Sequence, residues 1–139
     1  MRLLIVGALE GQLSEATKLA MQGGAKVAHA SSIDIAMSSL RAGRGADLLF
    51  VDVMVDIPGL IAALEAAGRA GQVRVIAHEL AEPTHAGLKS GAIDVVLDQN
   101  PDGEIRAAVA GARALALGHP VDPQAEPIEI GIFLRDNLR

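Results

Sequence analysis

Short apolar runs alternate with stretches of helical period along the chain, and this alternation limits the available folds more than any other feature. The runs from Leu3 to Val6, Lys26 to Ala30, Asp47 to Val53, Val73 to Ala77 and Ile93 to Leu97 have strand length. Between them, Leu13, Ala16, Leu19 and Ala20 fall on one helical face, as do Ile33, Ala36, Met37 and Leu40, then Leu60, Leu64 and Ala67. Each stripe can cover one side of a sheet. Strands that are apolar throughout must be covered on both faces, and a helix between successive strands is the connection that parallel pairing requires. The pattern therefore predicts a three-layer α/β domain around a parallel sheet.

The boundaries are marked by Gly23-Gly24, Gly43, Gly45, Gly71 and Gly91, where helices should stop. A last long helix is expected from about Asp102 to Leu117, with Ile105, Ala108, Val109, Ala112, Leu115 and Ala116 inward and Gly118-His119-Pro120 ending it. Pro120, Pro123 and Pro127 make the following connector, 118–127, extended. The segment from Ile128 to Leu134 begins with the apolar–polar alternation of an edge strand. Right-handed crossovers then favour the flavodoxin-like order 2-1-3-4-5 with the extra strand beside the fifth. A chain of 139 residues, half of them hydrophobic, suits one domain spanning 1–139.

A net charge of −5 and only two Phe, with no Trp or Tyr, leave neither a phosphate-neutralising surface nor stacking platforms, so no nucleic-acid partner is expected. The absence of cysteine removes disulfides and thiolate metal sites and fits a cytoplasmic setting. No apolar run has the length of a membrane span, and the opening MRLLIVG lacks the features of a signal peptide. No membrane partner is expected.

In such sheets ligands bind beyond the carboxyl ends of the strands. That rim should hold Gly7, Ala8, Asp52, Val53, Ala77, His78, Glu79, Asp98 and Gln99. Asp47, Asp52 and Asp56 have the chemistry of a divalent-cation site, but they read more readily as residues bounding a strand and turn. His29, His78, His85 and His119 lack zinc-site spacing. No dinucleotide fingerprint, phosphate loop or serine elbow occurs, and Ser31, Ser32, Ser38 and Ser39 read as cap or solvent residues around the second helix. No catalytic residue, metal or cofactor is expected.

The stretches MRLLIVG, GQLSEATKLAMQGGAKVAHA, LRAGRGADLLFVD and DIPGLIAALEAA, within residues 1–67, resemble the receiver domain of response regulators. The closest likeness is to the atypical receiver of flagellar sigma-54-dependent regulators. The resemblance implies that Asp52 is the phospho-acceptor position. The acidic pair that the family needs after the first strand is replaced by Gly7, Ala8 and Leu9, with Glu10 the nearby carboxylate. The hydroxyl after the fourth strand is replaced by Ala77, and the lysine after the fifth by Asp98 or Gln99. Without those groups the charge on a transferring phosphoryl is not neutralised, and phosphotransfer is not expected.

From about residue 72 the resemblance changes. VRVIAHELAEPTHAGLKSGAIDVVLDQNP and IEIGIFLRDNL look like the sugar-binding core of LacI-type repressors and periplasmic binding proteins. By that likeness Glu79 and Gln99 are remnants of a sugar-binding site. By the same likeness the last helix crosses to a second lobe that residues 72–139 do not contain. A half-cleft should bind a sugar weakly, since most of the ligand would stay solvated.

The two likenesses meet between residues 67 and 72, which points to an engineered or recombined chimera with no autonomous catalytic activity. A degenerate receiver of a transcription regulator and a weak sugar- or polyol-binding half-lobe are the alternatives. The last helix has two destinations, its own sheet in a monomer, slightly favoured, or a second copy in a helix-swapped homodimer.

Overall fold

A computed structural model of the chain describes residues 1–9, 11–52, 55–122 and 127–138. Glu10, Val53 and Pro123 of the sequence reading lie outside these residues. The elements run β1 (Arg2–Val6), α1 (Gly11–Gln22), β2 (Lys26–Ala30), α2 (Ile33–Arg41), β3 (Leu48–Val51) and α3 (Ile57–Ala66). They continue with β4 (Arg74–His78), α4 (Glu82–Ser90), β5 (Val95–Asp98), α5 (Pro101–Ala116), β6 (Gly131–Phe133) and a 3-10 turn at Arg135–Asn137.

The sheet order is β2-β1-β3-β4-β5-β6, the flavodoxin-like order expected, with every pair parallel except the last. β6 is shorter than the sequence suggested because only Gly131–Phe133 stand opposite Val96, Leu97 and Asp98. Side-chain oxygens at the starts of α2, α3 and α5 accept otherwise unpaired helix N–H groups. Ser32 serves Ile35, Asp56 serves Gly59 and Asn100 serves Gly103. α4 ends at Gly91, whose φ of +81° suits a residue without Cβ.

Period-2 alternation sends Leu4, Val6, Leu49, Val51, Val75, Ala77 and Val96 to the face covered by α2, α3 and α4, and all of them are buried. Met37, Leu40, Leu60, Leu64 and Leu88 seal that face from the helix side. Each such side chain, fully buried, contributes roughly 1.5–3 kcal/mol.

The opposite face differs. Its cluster is small, Leu3, Ile5 and Leu13, with Ala20, Val27, Leu48 and Phe50 only partly buried against it. Farther along the same face, Ile76, Val95 and Leu97 are also partly exposed, and Ile132 of β6 is 59% exposed.

Two expectations about helix faces are corrected here. Leu19 is 61% exposed, because the inward side of α1 is carried by Leu13, Ala16 and Ala20. The stripe assigned inward on α5 is exposed throughout. Ile105 and Val109 are each 63% accessible, Leu115 is 67% accessible, and Ala108, Ala112 and Ala116 are exposed with them. The reason is topological. Because β6 is antiparallel to β5 and Gly131 stands opposite Asp98, the chain leaves and re-enters the sheet at one rim. α5 therefore belongs to an excursion from that rim, and it packs closely on no other element.

Two aspartates preceding strands clasp the neighbouring strand in the same way. Asp47 accepts from the Arg2 backbone N–H at 2.8 Å and from its guanidinium at 2.9 Å. Asp94 accepts from Val75 N–H at 2.9 Å and from the Arg74 guanidinium at 2.7 Å. The side-chain and backbone hydrogen bonds from Arg2 hold Asp47 below its ordinary carboxylate pKa. Its contribution to stability is thus present above the unfolded-state value near ~3.9 and is lost as pH falls through the lower folded value. Asp47→Asn should lower the thermal midpoint slightly at pH 7, since solvent screens so exposed a pair. The difference from the parent should shrink as pH falls below the ordinary carboxylate range in melts followed by circular dichroism.

Candidate functional site

The carboxyl rim forms a cleft of about 440 Å³ on the half-open face, lined by residues that include Leu13, Phe50, Asp52, His78, Asp98 and Gln99. Its walls are mostly apolar, and its polar groups come from the ends of β3, β4 and β5. Such a mixture suits a small ligand held by a few oriented hydrogen bonds.

Asp52 follows β3 and lies against Gly7 at the end of β1. A Cβ built on Gly7, whose φ is +139°, would come 2.6 Å from Asp52 Cβ, so this position has no room for a carboxylate side chain. The Gly7 carbonyl accepts from His29 Nε2 at 2.7 Å, which fixes the proton on that nitrogen.

Across the cleft, Gln99 Nε2 stands 3.2 Å from His78 Nε2, a bond in which the Gln99 amide donates and His78 carries its proton on Nδ1. Asp98 is engaged with backbone. One oxygen accepts from Leu80 N–H at 3.1 Å and the other from Asn100 N–H at 3.3 Å. Asp98 thereby ties the loop after β4 to the start of the α5 excursion.

Glu79 occupies the left-handed region at φ +66° and donates its N–H to the Leu97 carbonyl at 2.7 Å. The strain is held by Thr84, the one buried polar residue among those described. Its Oγ1 accepts from Ala81 N–H at 2.9 Å and donates toward the Glu79 carbonyl at 2.8 Å. The Glu79 side chain does not line the cleft that holds Asp52 and Gln99. Of the residues singled out from sequence, the structure thus brings Asp52, His78, Asp98 and Gln99 together and leaves Glu79 apart.

Asp47, Asp52 and Asp56 do not converge, since Asp47 precedes β3, Asp52 follows it and Asp56 caps α3. Among the described residues no three His, Asp or Glu side chains form a metal-holding group, and no helix is long and apolar enough to cross a membrane. The role of Thr84 was not visible in the sequence, where a threonine near the start of a helix gives no sign that it is buried.

Comparison with known proteins gives two relationships. The chain is 50% identical over 115 residues to the transcriptional regulatory protein FlbD of Caulobacter vibrioides, a match covering 81% of this chain and 25% of that protein. Its fold is that of periplasmic sugar-binding proteins. The glucose-galactose binding protein GanP of Geobacillus stearothermophilus superposes with a TM-score of 0.76 at 16% identity, over 99% of this chain and 54% of that one. A periplasmic solute binding protein of Actinobacillus succinogenes, solved with D-allose, gives 0.74 at 16% identity, over 97% of this chain and 52% of that one. One from Agrobacterium vitis, solved with D-fucose, gives 0.74 at 14% identity, over 98% and 52%. No family model matches the chain. The chain thus resembles a transcriptional regulatory protein in sequence and sugar-binding proteins in fold, and it spans a quarter of the first and about half of the second. A match covering 81% of the chain necessarily crosses residues 67–72.

Replacing Thr84 by Val keeps the shape and removes the hydroxyl, leaving the Ala81 N–H and the Glu79 carbonyl only their own 3.2 Å bond to each other. The expected cost is about 0.5–1.5 kcal/mol in urea unfolding. Amide exchange should quicken at Ala81 before it does in β3.

Proposed function

We propose that this chain is a recombined scaffold without autonomous catalytic activity. In this reading a receiver-type segment of a transcriptional regulator, 1–67, is joined to part of a sugar-binding lobe, 72–139. The observation that carries it is the course of the last third of the chain. α5 leaves and returns at one rim and, among the described residues, packs closely on no strand, and β6 then adds antiparallel to β5. That is how the second segment would run if its helix had been made to cross to another lobe. The first segment supplies β1 to β3. The regulator match crosses the proposed junction, which is compatible with a join between two segments having the same order of strands and helices. A cytoplasmic setting goes with the regulator relationship.

The rim supports the absence of phosphotransfer. Asp52 faces a glycine too crowded for a carboxylate, Ala77 offers no hydroxyl, and Asp98 or Gln99, neither of them a cation, stands where the receiver resemblance calls for a lysine. A phosphoryl group there would meet repulsion rather than neutralisation. Incubation with Mg²⁺ and acetyl phosphate, or with beryllofluoride, should give no adduct by intact mass or fluorine NMR. An adduct abolished by Asp52→Asn would replace this reading with that of a working receiver. Residues 1–67 and 72–139, compared separately with known proteins, should each return a different family. A single natural protein matching both would sink the recombination.

A second reading, weak binding of a sugar or polyol, is favoured by the Gln99–His78 pair in a mostly apolar cleft. The cleft is one side of what a two-lobed binder would close. D-Glucose or D-allose should therefore bind no more tightly than about millimolar, with amide shifts at Gln99 and with Glu79 as the second residue to watch. Affinity near 10 µM, roughly a hundredfold stronger, would show that one lobe suffices.

A further inference from the structure

Among the described residues, the half-open sheet face and the stripe on α5 are two unpaired apolar surfaces of one chain. The face is floored by Phe50, Ile76, Val95 and Leu97, all partly exposed, whereas their alternating neighbours Leu49, Val51, Val75, Ala77 and Val96 are fully covered by α2, α3 and α4. One edge of this open strip is α1, where Ala16 lines the cleft and Leu19, one turn farther on the same flank, is 61% exposed. The other edge is β6 with Ile130 and Ile132, 69% and 59% exposed. A sheet of this order has room for two helices on that side, and α1 occupies one place.

α5 has the shape for the other place. Its sixteen residues extend about 24 Å, and Ile105, Ala108, Val109, Ala112, Leu115 and Ala116 follow the i, i+3, i+4 spacing of a helix face made for burial. The other side of α5 carries the small residues Gly103, Ala107, Ala110, Gly111 and Ala114, which are the less exposed ones. It is that side, at Gly111, that lies near Val121 of the returning connector. The helix thus turns its larger apolar residues outward, away from its own chain.

We infer that α5 docks in the vacant helix place of a second copy of this chain, reciprocally, giving a two-fold dimer in which each protomer's α5 covers the other's sheet. A second copy fits better than any unrelated partner, because the occupant the strip calls for, one apolar-faced helix beside α1, is the element that each chain leaves unpartnered. The route also favours exchange. Gln99 and Asn100 form the exit, with Asn100 held in the left-handed region at φ +58° by its cap to Gly103, and the excursion ends at the same rim. α5 is therefore directed at whatever faces that rim. Two helix dockings of this length bury area of the order of the ~1,600 Å² typical of stable interfaces. Asp52, His78 and Gln99 would then lie beneath the partner's helix, so the cleft is completed only in the dimer.

This inference does not depend on the recombination reading, since it concerns packing and would hold for any origin of the chain. Light scattering and sedimentation on the full chain should give twice the 14.3 kDa chain mass. Val109→Glu replaces a residue that is exposed in one copy, so it should keep the circular dichroism of the parent. It should raise the dimer dissociation constant by roughly 30-fold or more. The chain has no cysteine, which makes a disulfide test specific. Chains with Val109→Cys mixed with chains with Ala16→Cys should form a mixed disulfide dimer. A monomer at all concentrations overturns the inference, as does a doubly substituted chain that closes its disulfide only within itself. A dimer indifferent to Val109→Glu, or one linked only through Val109→Cys to itself, would equally exclude docking beside α1.

Discussion

Everything in this fold depends on the parity of the parallel ladder. Once Leu49 pairs with Val75 and Val51 with Ala77, the alternation of side chains decides which residues of β4 meet α2, α3 and α4 and which meet the other face. A slip of one residue would turn Arg74, Ile76 and His78 into the sealed core and expose Val75 and Ala77. No compensation is available for an arginine and a histidine in that position, so the register is enforced by burial alone. The clasps of Asp47 on Arg2 and Asp94 on Arg74 add direction at the strand starts.

The same constraint would let two segments of different ancestry form one sheet, as the proposed recombination requires. A join between α3 and β4 asks the second segment to supply a strand of matching parity, followed by a helix with an apolar stripe. Val73, Val75 and Ala77 meet Leu60 and Leu64 across the proposed join, and all five are buried. Cores tolerate such exchange when volume and pattern are kept. The site has no such tolerance, because its chemistry depends on particular residues at strand ends rather than on pattern.

This difference also decides what was legible in the sequence. Element order, sheet order and the sealed face follow from period and punctuation, and they appear in the structure as expected. The face of α5 does not follow from period. The spacing of Ile105, Val109 and Leu115 says that a stripe exists, and says nothing of which surface it meets, because that depends on where the chain re-enters the sheet. Only the antiparallel pairing of Gly131 with Asp98 reveals an excursion from one rim. Leu19 was misplaced for a related reason, since a helix beside an empty place exposes the flank that a neighbour would cover. At the site, Glu79 and Gln99 are close in sequence terms as the ends of adjacent strands. The left-handed turn at Glu79, stabilised by Thr84, separates their side chains, and a turn of that kind in a non-glycine residue has no signature in composition.

Under the proposed recombination the cleft belongs to neither parent alone. Leu13, Phe50 and Asp52 precede the proposed join, and His78, Asp98 and Gln99 follow it, so under that proposal two remnant sites would share one volume without sharing a chemistry. A phospho-acceptor needs cations around it, and the second segment contributes the Asp98 carboxylate, already satisfied by two backbone N–H groups. A sugar site needs polar groups on two sides of the ring, and the first segment contributes mainly apolar walls beside Asp52. Under the proposed recombination, combination at the level of fold would preserve what depends on periodicity and remove what depends on position. The apolar walls that serve neither chemistry are suited instead to a helix.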